Sequence, residues 1–127
     1  MELAVMSTVL EVVFTGSKKR PKDLPKAYWA IPGHPTSLRI VFDVAGYLTG
    51  SWIEIEKNEI LHFNKPHTIV ANFFGTPDFW KTVKNRIHIG MEMNAHAGSE
   101  IIGKAKLLEY EYYESYDIVD GKVVAKE

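Results

Sequence analysis

The chain has 127 residues, which is enough for one domain with a single core. Its 46% hydrophobic and 24% charged residues are ordinary for a folded protein and exclude a disordered chain. The formal net charge of -1 gives no overall attraction to nucleic acid or to membrane, and the lack of cysteine excludes disulfides and thiolate chemistry.

The first apolar run, residues 3–14, is predicted to contain a strand and not a targeting segment. Glu2 stands where a secretion signal has basic residues, and Glu11 interrupts the run, which is also too short to span a bilayer. Its second half, residues 9–14, is rich in β-branched and apolar residues, with Leu10, Val12 and Phe14 on one face. We therefore expect a strand here, in a cytoplasmic protein without membrane contact.

Residues 18–37 form the longest stretch without a regular pattern, and long loops in compact domains are often functional. Its prolines and Gly33 disfavour helix and strand. Basic residues lie beside two aromatic ones, a combination that can contact phosphates and stack on bases, although an ordinary solvated surface is the simpler alternative. The candidate RNA-binding residues are Lys18, Lys19, Arg20, Lys22, Tyr28 and Trp29.

Three further strands follow, at residues 38–44, 51–56 and 67–74. In the first two, apolar and polar residues alternate, which predicts strands with one buried face. Gly46 and Gly50 bracket the turn between them. After the third strand, Thr76 and Pro77 have the positions of a helix cap and a first helical residue, so a short helix is predicted over residues 78–85.

The C-terminal third is again β-prone. Strands are predicted at residues 87–94 and 101–116, the latter broken by Gly103. The pair Asp120-Gly121 suits a two-residue hairpin turn between residues 116–119 and 122–125. Several short strands at regular spacing predict an all-β barrel or sandwich.

Two stretches have a more specific order of strand, turn and strand: residues 35–43 followed by 47–55, and residues 90–105. They resemble the third, C-terminal β-barrel domain of bacterial elongation factor Tu, with Thr49-Gly50 in the first turn and a glycine turn in the second. The resemblance covers residues 9–109. It implies a closed six-stranded antiparallel Greek-key barrel with a short helical turn, as a small stand-alone bacterial protein. Residues 110–127 have no counterpart and are predicted to form a C-terminal extension.

In that family the end of this barrel helps to hold tRNA, and other faces contact protein partners. The turn that matches consists of His96, Ala97, Gly98, Ser99 and Glu100, and Glu100 stands where the family has arginine. A carboxylate repels RNA phosphates, so this departure argues against the tRNA contact. The phosphate-binding loop of the family's GTPase part is absent, so no nucleoside triphosphate is expected.

Catalytic and metal-binding patterns are weak. No serine-hydrolase motif occurs, and the five histidines lack the spacing of metal ligands. Glu54 and Glu56 share one strand face and could form a carboxylate pair, but alternate carboxylates are commonly just a solvated face. We therefore predict a protein that is not an enzyme and has no cofactor or metal.

The C-terminal aromatic residues are the most informative. Four tyrosines interleave with Glu109, Glu111 and Glu114, a pattern that favours a basic protein partner over nucleic acid. Packing of these rings onto the barrel is the alternative. The candidate partner-binding residues are Tyr110, Tyr112, Tyr113, Tyr116, His96, Gly98, Ser99 and Glu100. The prediction is a binding module for a protein of the translation machinery or a second copy of itself, with RNA binding through residues 18–29 as the alternative.

Overall fold

The computed structural model describes residues 3–15, 24–25, 37–54, 60–97, 100–119 and 122–126. The strands are β1 (Ala4–Phe14), β2 (Leu24–Pro25), β3 (Ser37–Val44), β4 (Tyr47–Glu54), β5 (Ile60–Leu61), β6 (Pro66–Gly75), β7 (Glu92–Ala97), β8 (Glu100–Tyr113), β9 (Tyr116–Val119) and β10 (Lys122–Ala125). A helix, α1 (Pro77–Val83), lies between β6 and β7 and continues into a 3-10 turn at Lys84–Arg86.

Six of these strands close into one antiparallel barrel in the order β1-β6-β4-β3-β7-β8. Because β3, β4 and β6 are successive neighbours and β1 lies beside β6, the connection is a Greek key. The predicted barrel is therefore confirmed. The other four described strands form two small sheets outside it, β2 with β5 and β9 with β10.

The alternation in β1, β3 and β6 fills the barrel. Leu10, Val12 and Phe14 are fully buried, as predicted from the apolar face of β1. Phe42 and Phe73 meet edge to face across the interior, with ring centroids 5.7 Å apart. Burial of each such side chain contributes about 1.5–3 kcal/mol, so this interior is the main source of stability.

The turn between β3 and β4 is tighter than the sequence suggested. Ala45 and Gly46 both have positive φ, 51° and 89°, which is typical of the two-residue hairpin turn that matches strand twist. Gly50 lies inside β4 and pairs with Val41. The strand therefore begins at Tyr47, four residues before its predicted start.

Helix α1 forms as predicted. The Thr76 hydroxyl accepts a hydrogen bond from the Phe79 backbone N–H at 3.2 Å, and Pro77 occupies the start of the helix. Trp80 and Val83 point into the core, so the helix covers one end of the barrel. This end is called the helical end below.

Strand β7 begins five residues later than predicted. Gly90 has a φ of 90°, a conformation that breaks an extended strand before Met91. Residues 87–89 are not part of a strand. The chain joins β8 only where the Gly90 N–H donates to the Leu107 carbonyl at 2.8 Å and the Leu107 N–H donates to the Met91 carbonyl at 2.9 Å.

Strand β8 runs unbroken through Gly103, so the predicted break there was wrong. A Cβ at Gly103 would lie 2.8 Å from the Val13 carbonyl oxygen and 3.1 Å from the Phe14 Cα, so glycine permits close approach of β1. Two register shifts occur along β8: one against β7, where Ala95 pairs with Gly103 but His96 pairs with Ile101, and one against β1, where Leu10 pairs with Leu107 but Val9 pairs with Glu109. Leu108 is thus the extra residue of a β-bulge.

The two strands of the terminal hairpin form as predicted, with Val119 paired to Lys122 and Tyr116 to Ala125, whereas the Asp120-Gly121 turn lies outside the described residues. The hairpin lies outside the barrel ladder. One ring contact joins it to the barrel: Tyr116 and Phe74 have centroids 5.8 Å apart.

Candidate binding surface

The last five residues of β8, after the bulge, have a neighbouring strand on one side only. We call residues 109–113 the β8 overhang. On one side they pair with β1, from Val9↔Glu109 to Val5↔Tyr113. On the other side the β7 ladder ends at Glu92↔Lys106, and within the described residues no strand pairs with the overhang. A strand edge of this kind presents backbone N–H and C=O groups that can accept another strand.

The bulge decides which side chains of the overhang face inward. Thr8 and Met6 of β1 are buried inside the barrel, and they pair with Tyr110 and Tyr112. Directly opposite residues lie on the same face of a sheet, so these two tyrosines face the helical end. The alternate residues of the overhang, Glu109, Glu111 and Tyr113, lie on the outer face.

The outer face forms an acidic groove of about 460 Å³. Its lining residues are Ser7, Thr8, Val9, Ile89, Glu109, Tyr110, Glu111 and Tyr113. Both glutamates are exposed, and the Tyr113 hydroxyl donates a hydrogen bond to the Glu111 carboxylate. Ile89 is 58% exposed and supplies an apolar part. Of the residues described, no lysine or arginine lines this groove.

The inner face forms a second groove, of about 380 Å³, between α1 and the β8 overhang. Its lining residues are Met6, Trp80, Lys81, Lys84, Ile87, Tyr110, Tyr112 and Glu114. Met6, Trp80 and Ile87 are buried, whereas Tyr110 and Tyr112 are 39% and 38% exposed. The groove therefore has an apolar floor with lysines on its helical side.

Hydrogen bonding and desolvation raise the pKa of two tyrosines of the overhang. The pKa of Tyr113 is raised above its ordinary value, first by the hydrogen bond to Glu111 and then by desolvation. The pKa of Tyr112 is raised first by desolvation and then by the Glu114 carboxylate, to which its hydroxyl donates at 3.2 Å. A tyrosine hydroxyl is protonated at neutral pH even at its ordinary pKa of about 10, so both groups are hydrogen-bond donors there.

The four tyrosines predicted as one partner surface do not form a single patch. Tyr110 and Tyr112 line the inner groove, and Tyr113 lies on the outer face beside Glu111. Tyr116 belongs to β9 and packs against Phe74, and desolvation raises its pKa. The sequence alone suggested one row of tyrosines interleaved with glutamates. The bulge and the end of β8 instead place the rings in the inner groove, on the outer face and against Phe74.

His96 and Glu100, the other predicted partner residues that the structure describes, lie at the opposite end of β8. This strand has 14 residues, so at about 3.3 Å per residue the path along it is roughly 40 Å long. Glu100 begins the strand and is half-buried, and Gly98 and Ser99 lie outside the described residues. His96 and Glu100 are therefore remote from the tyrosines and do not contribute to the same surface.

His96 instead belongs to a polar cluster between β3 and β7. The Asp43 carboxylate accepts hydrogen bonds from the Asn94 backbone N–H at 2.7 Å and from the Asn94 side-chain amide at 3.1 Å, and His96 Nε2 lies 3.4 Å from it. The strand ladder here consists only of Val41↔His96 and Phe42↔Ala95. Asp43 therefore replaces a missing ladder contact, a role that its unusual position in a strand could have signalled.

Other residues singled out by the sequence have ordinary surroundings or lie beyond the described part. Glu54 accepts a hydrogen bond from the Asn72 amide at 2.7 Å, whereas Glu56 and the candidate RNA-binding residues lie outside the described residues. The His67 ring stacks on His62, with centroids 6.2 Å apart. Among the residues described, no cluster of three or more His, Cys, Asp or Glu side chains is arranged to hold a metal.

Among these residues there is also no helix with the length and apolar character needed to cross a membrane. Comparison of the sequence with protein-family models and with curated proteins finds no match. The relationship to elongation factor Tu therefore stays a prediction. A closed barrel supports many unrelated functions, so the function has to be argued from the surface itself.

Proposed function

We propose that this chain is a non-catalytic binding module whose partner is a basic segment of another protein. The observation that carries the proposal is the outer groove of the β8 overhang. Glu109 and Glu111 project from alternate positions, and no described lysine or arginine among the groove's lining residues neutralises them. Opposite charge on a partner would be attracted over a distance of about a Debye length, roughly 8 Å at physiological salt.

Features around the two carboxylates add specificity to this attraction. The Tyr113 hydroxyl holds the Glu111 carboxylate in one orientation, which reduces the ordering that binding would require. Exposed Ile89 and half-buried Val9 offer apolar contact to the stems of lysine and arginine side chains. The groove thus suits long basic side chains.

The resemblance to the elongation factor Tu barrel guides the choice of partner and location. We propose a bacterial, cytoplasmic protein whose partner belongs to the translation machinery, where basic protein segments that contact RNA are common. A carboxylate surface selects such a segment and repels the RNA itself. This part of the proposal rests on the residue pattern quoted above.

The test is fluorescence anisotropy with a labelled lysine- and arginine-rich peptide. Glu109→Gln with Glu111→Gln should weaken binding about tenfold, since two charge contacts are lost. Glu11→Gln with Glu92→Gln is the matched control, because both residues are exposed and the net charge changes equally. The control should leave the affinity unchanged.

Equal weakening in both double variants would show a nonspecific charge effect and contradict the proposal. Capture from nuclease-treated lysate with the same variants then identifies the natural partner. Proteins retained by wild type and control but lost from the Glu109→Gln/Glu111→Gln variant would support it. Equal retention of these proteins by wild type, control and the Glu109→Gln/Glu111→Gln variant would contradict the proposal.

A further inference from the structure

The unpaired edge of the β8 overhang lies between two grooves of different chemistry. The outer groove is acidic, and the inner groove is apolar with lysines on its helical side. Resting on the proposed function, we infer that the partner segment adds to this edge as an extended strand in which basic and apolar residues alternate. This mode of recognition supplies affinity from the backbone and specificity from alternate side chains.

The backbone supports strand addition at this point of the barrel. The six strands close into one barrel, and β8 extends beyond the end of its β7 neighbour. The ladder between β7 and β8 stops at Lys106, and Leu107 makes the last two backbone hydrogen bonds on that side. Pairing with β1 nevertheless keeps residues 109–113 extended. The edge is therefore already in the conformation that an added strand requires.

The side chains define the pattern of the added strand. Successive side chains of a strand point to opposite faces, so alternate partner residues enter the outer and the inner groove. Residues that enter the outer groove meet Glu109 and Glu111 and are therefore basic. Residues that enter the inner groove meet Trp80, Tyr110 and Tyr112 and are therefore apolar.

Glu114 lines the inner groove just beyond the end of β8, and Lys81 and Lys84 disfavour a basic partner residue on its helical side. Both lysines are exposed residues of the α1 side of the inner groove, where a basic partner residue would meet like charge. Repulsion of the wrong residue is an effective source of specificity. A uniformly basic segment is thus attracted by the carboxylates of the outer groove and repelled by the lysines of the inner groove.

The test uses three labelled peptides with the same numbers of lysine and valine residues. The first alternates lysine with valine, the second has the lysines in one block, and the third is the alternating peptide with alternate backbone amides N-methylated. The alternating peptide should bind about tenfold more tightly than the other two, because only it can pair with β8 and fill both grooves. Binding should also slow amide hydrogen exchange in residues 109–113.

A charge reversal on the helix tests the inner groove separately. Lys81→Glu with Lys84→Glu should remove most of the preference for the alternating peptide over the block peptide. Lys104→Glu with Lys106→Glu is the control, since these exposed β8 residues face neither groove. The control should retain the full preference.

The outcomes separate the two proposals. If the alternating, block and methylated peptides bind equally and lose affinity in Glu109→Gln/Glu111→Gln, the acidic surface stands and strand addition is wrong. If none of them binds, the proposed function itself fails. A concentration-dependent dimer in sedimentation that protects the same amides would overturn the inference in favour of a second copy as the occupant.

Discussion

At the scale of single residues, Asp43 joins two barrel strands where their ladder ends. Its carboxylate receives both hydrogen bonds of Asn94 and lies beside His96. Asp43→Ala leaves the Asn94 N–H without this acceptor, and we expect a loss of about 1–3 kcal/mol in the free energy of unfolding. Urea denaturation measures it, with exposed Glu92→Ala as the control. Equal stability of the two variants would show that Asp43 does not join the strands.

Tyr113 provides a prediction about pH. Its pKa is raised above the ordinary 10.0, chiefly by the hydrogen bond to Glu111. A raised folded-state pKa means that the contribution to stability is present below the unfolded-state pKa and is lost as pH rises through the folded-state value. In Glu111→Gln, absorbance titration of tyrosinate should show one tyrosine ionising at lower pH than in wild type. An unchanged titration curve would exclude this hydrogen bond in solution.

At the scale of elements, the close approach of β1 and β8 depends on Gly103. Its absent side chain leaves room for Val13 and Phe14, and backbone atoms there cannot move aside cheaply. We expect Gly103→Ala to lower the free energy of unfolding by roughly 1–3 kcal/mol through overpacking. Gly50→Ala is a matched control in β4, because a Cβ there meets no atom within 4 Å. Alanine also lowers the conformational entropy of the unfolded chain, so this variant should not be destabilised. Thermal unfolding should separate the two, and a neutral Gly103→Ala would show that the strands relax.

Sequence patterns predicted the elements governed by local chemistry. The Thr76 cap, the apolar alternation of β1 and the pairing of residues 116–119 with 122–125 each depend on neighbours in the chain, and each was confirmed. The start of β7 and the bulge at Leu108 were missed, because they depend on how β7, β8 and β1 fit around the barrel. The separation of the tyrosines follows from that bulge. The aromatic and acidic residues of the site were therefore predictable, but the face of β8 on which each side chain lies was not.

At the scale of the whole molecule, the barrel and the C-terminal hairpin differ in what holds them. Each strand of the barrel has a neighbour on both sides along at least part of its length and shares one core, whereas within the described residues β9 and β10 pair only with each other. Ile118, Val119 and Val124 remain exposed on the hairpin, and an isolated two-stranded sheet is at best marginally stable in water. We infer two levels of local stability within one chain.

Native-state hydrogen exchange distinguishes these levels. We expect amides of β1 to exchange only through global unfolding, and amides of β9 and β10 to exchange through local opening that leaves the barrel intact. Tyr116→Ala removes the ring that packs on Phe74, so it should speed exchange in the hairpin while leaving β1 nearly unchanged. Val124→Ala, an exposed hairpin position, serves as the control. If β1 and the hairpin exchange at the same rate in the wild-type protein, the hairpin is a cooperative part of the barrel, and Tyr116→Ala should then destabilise both together.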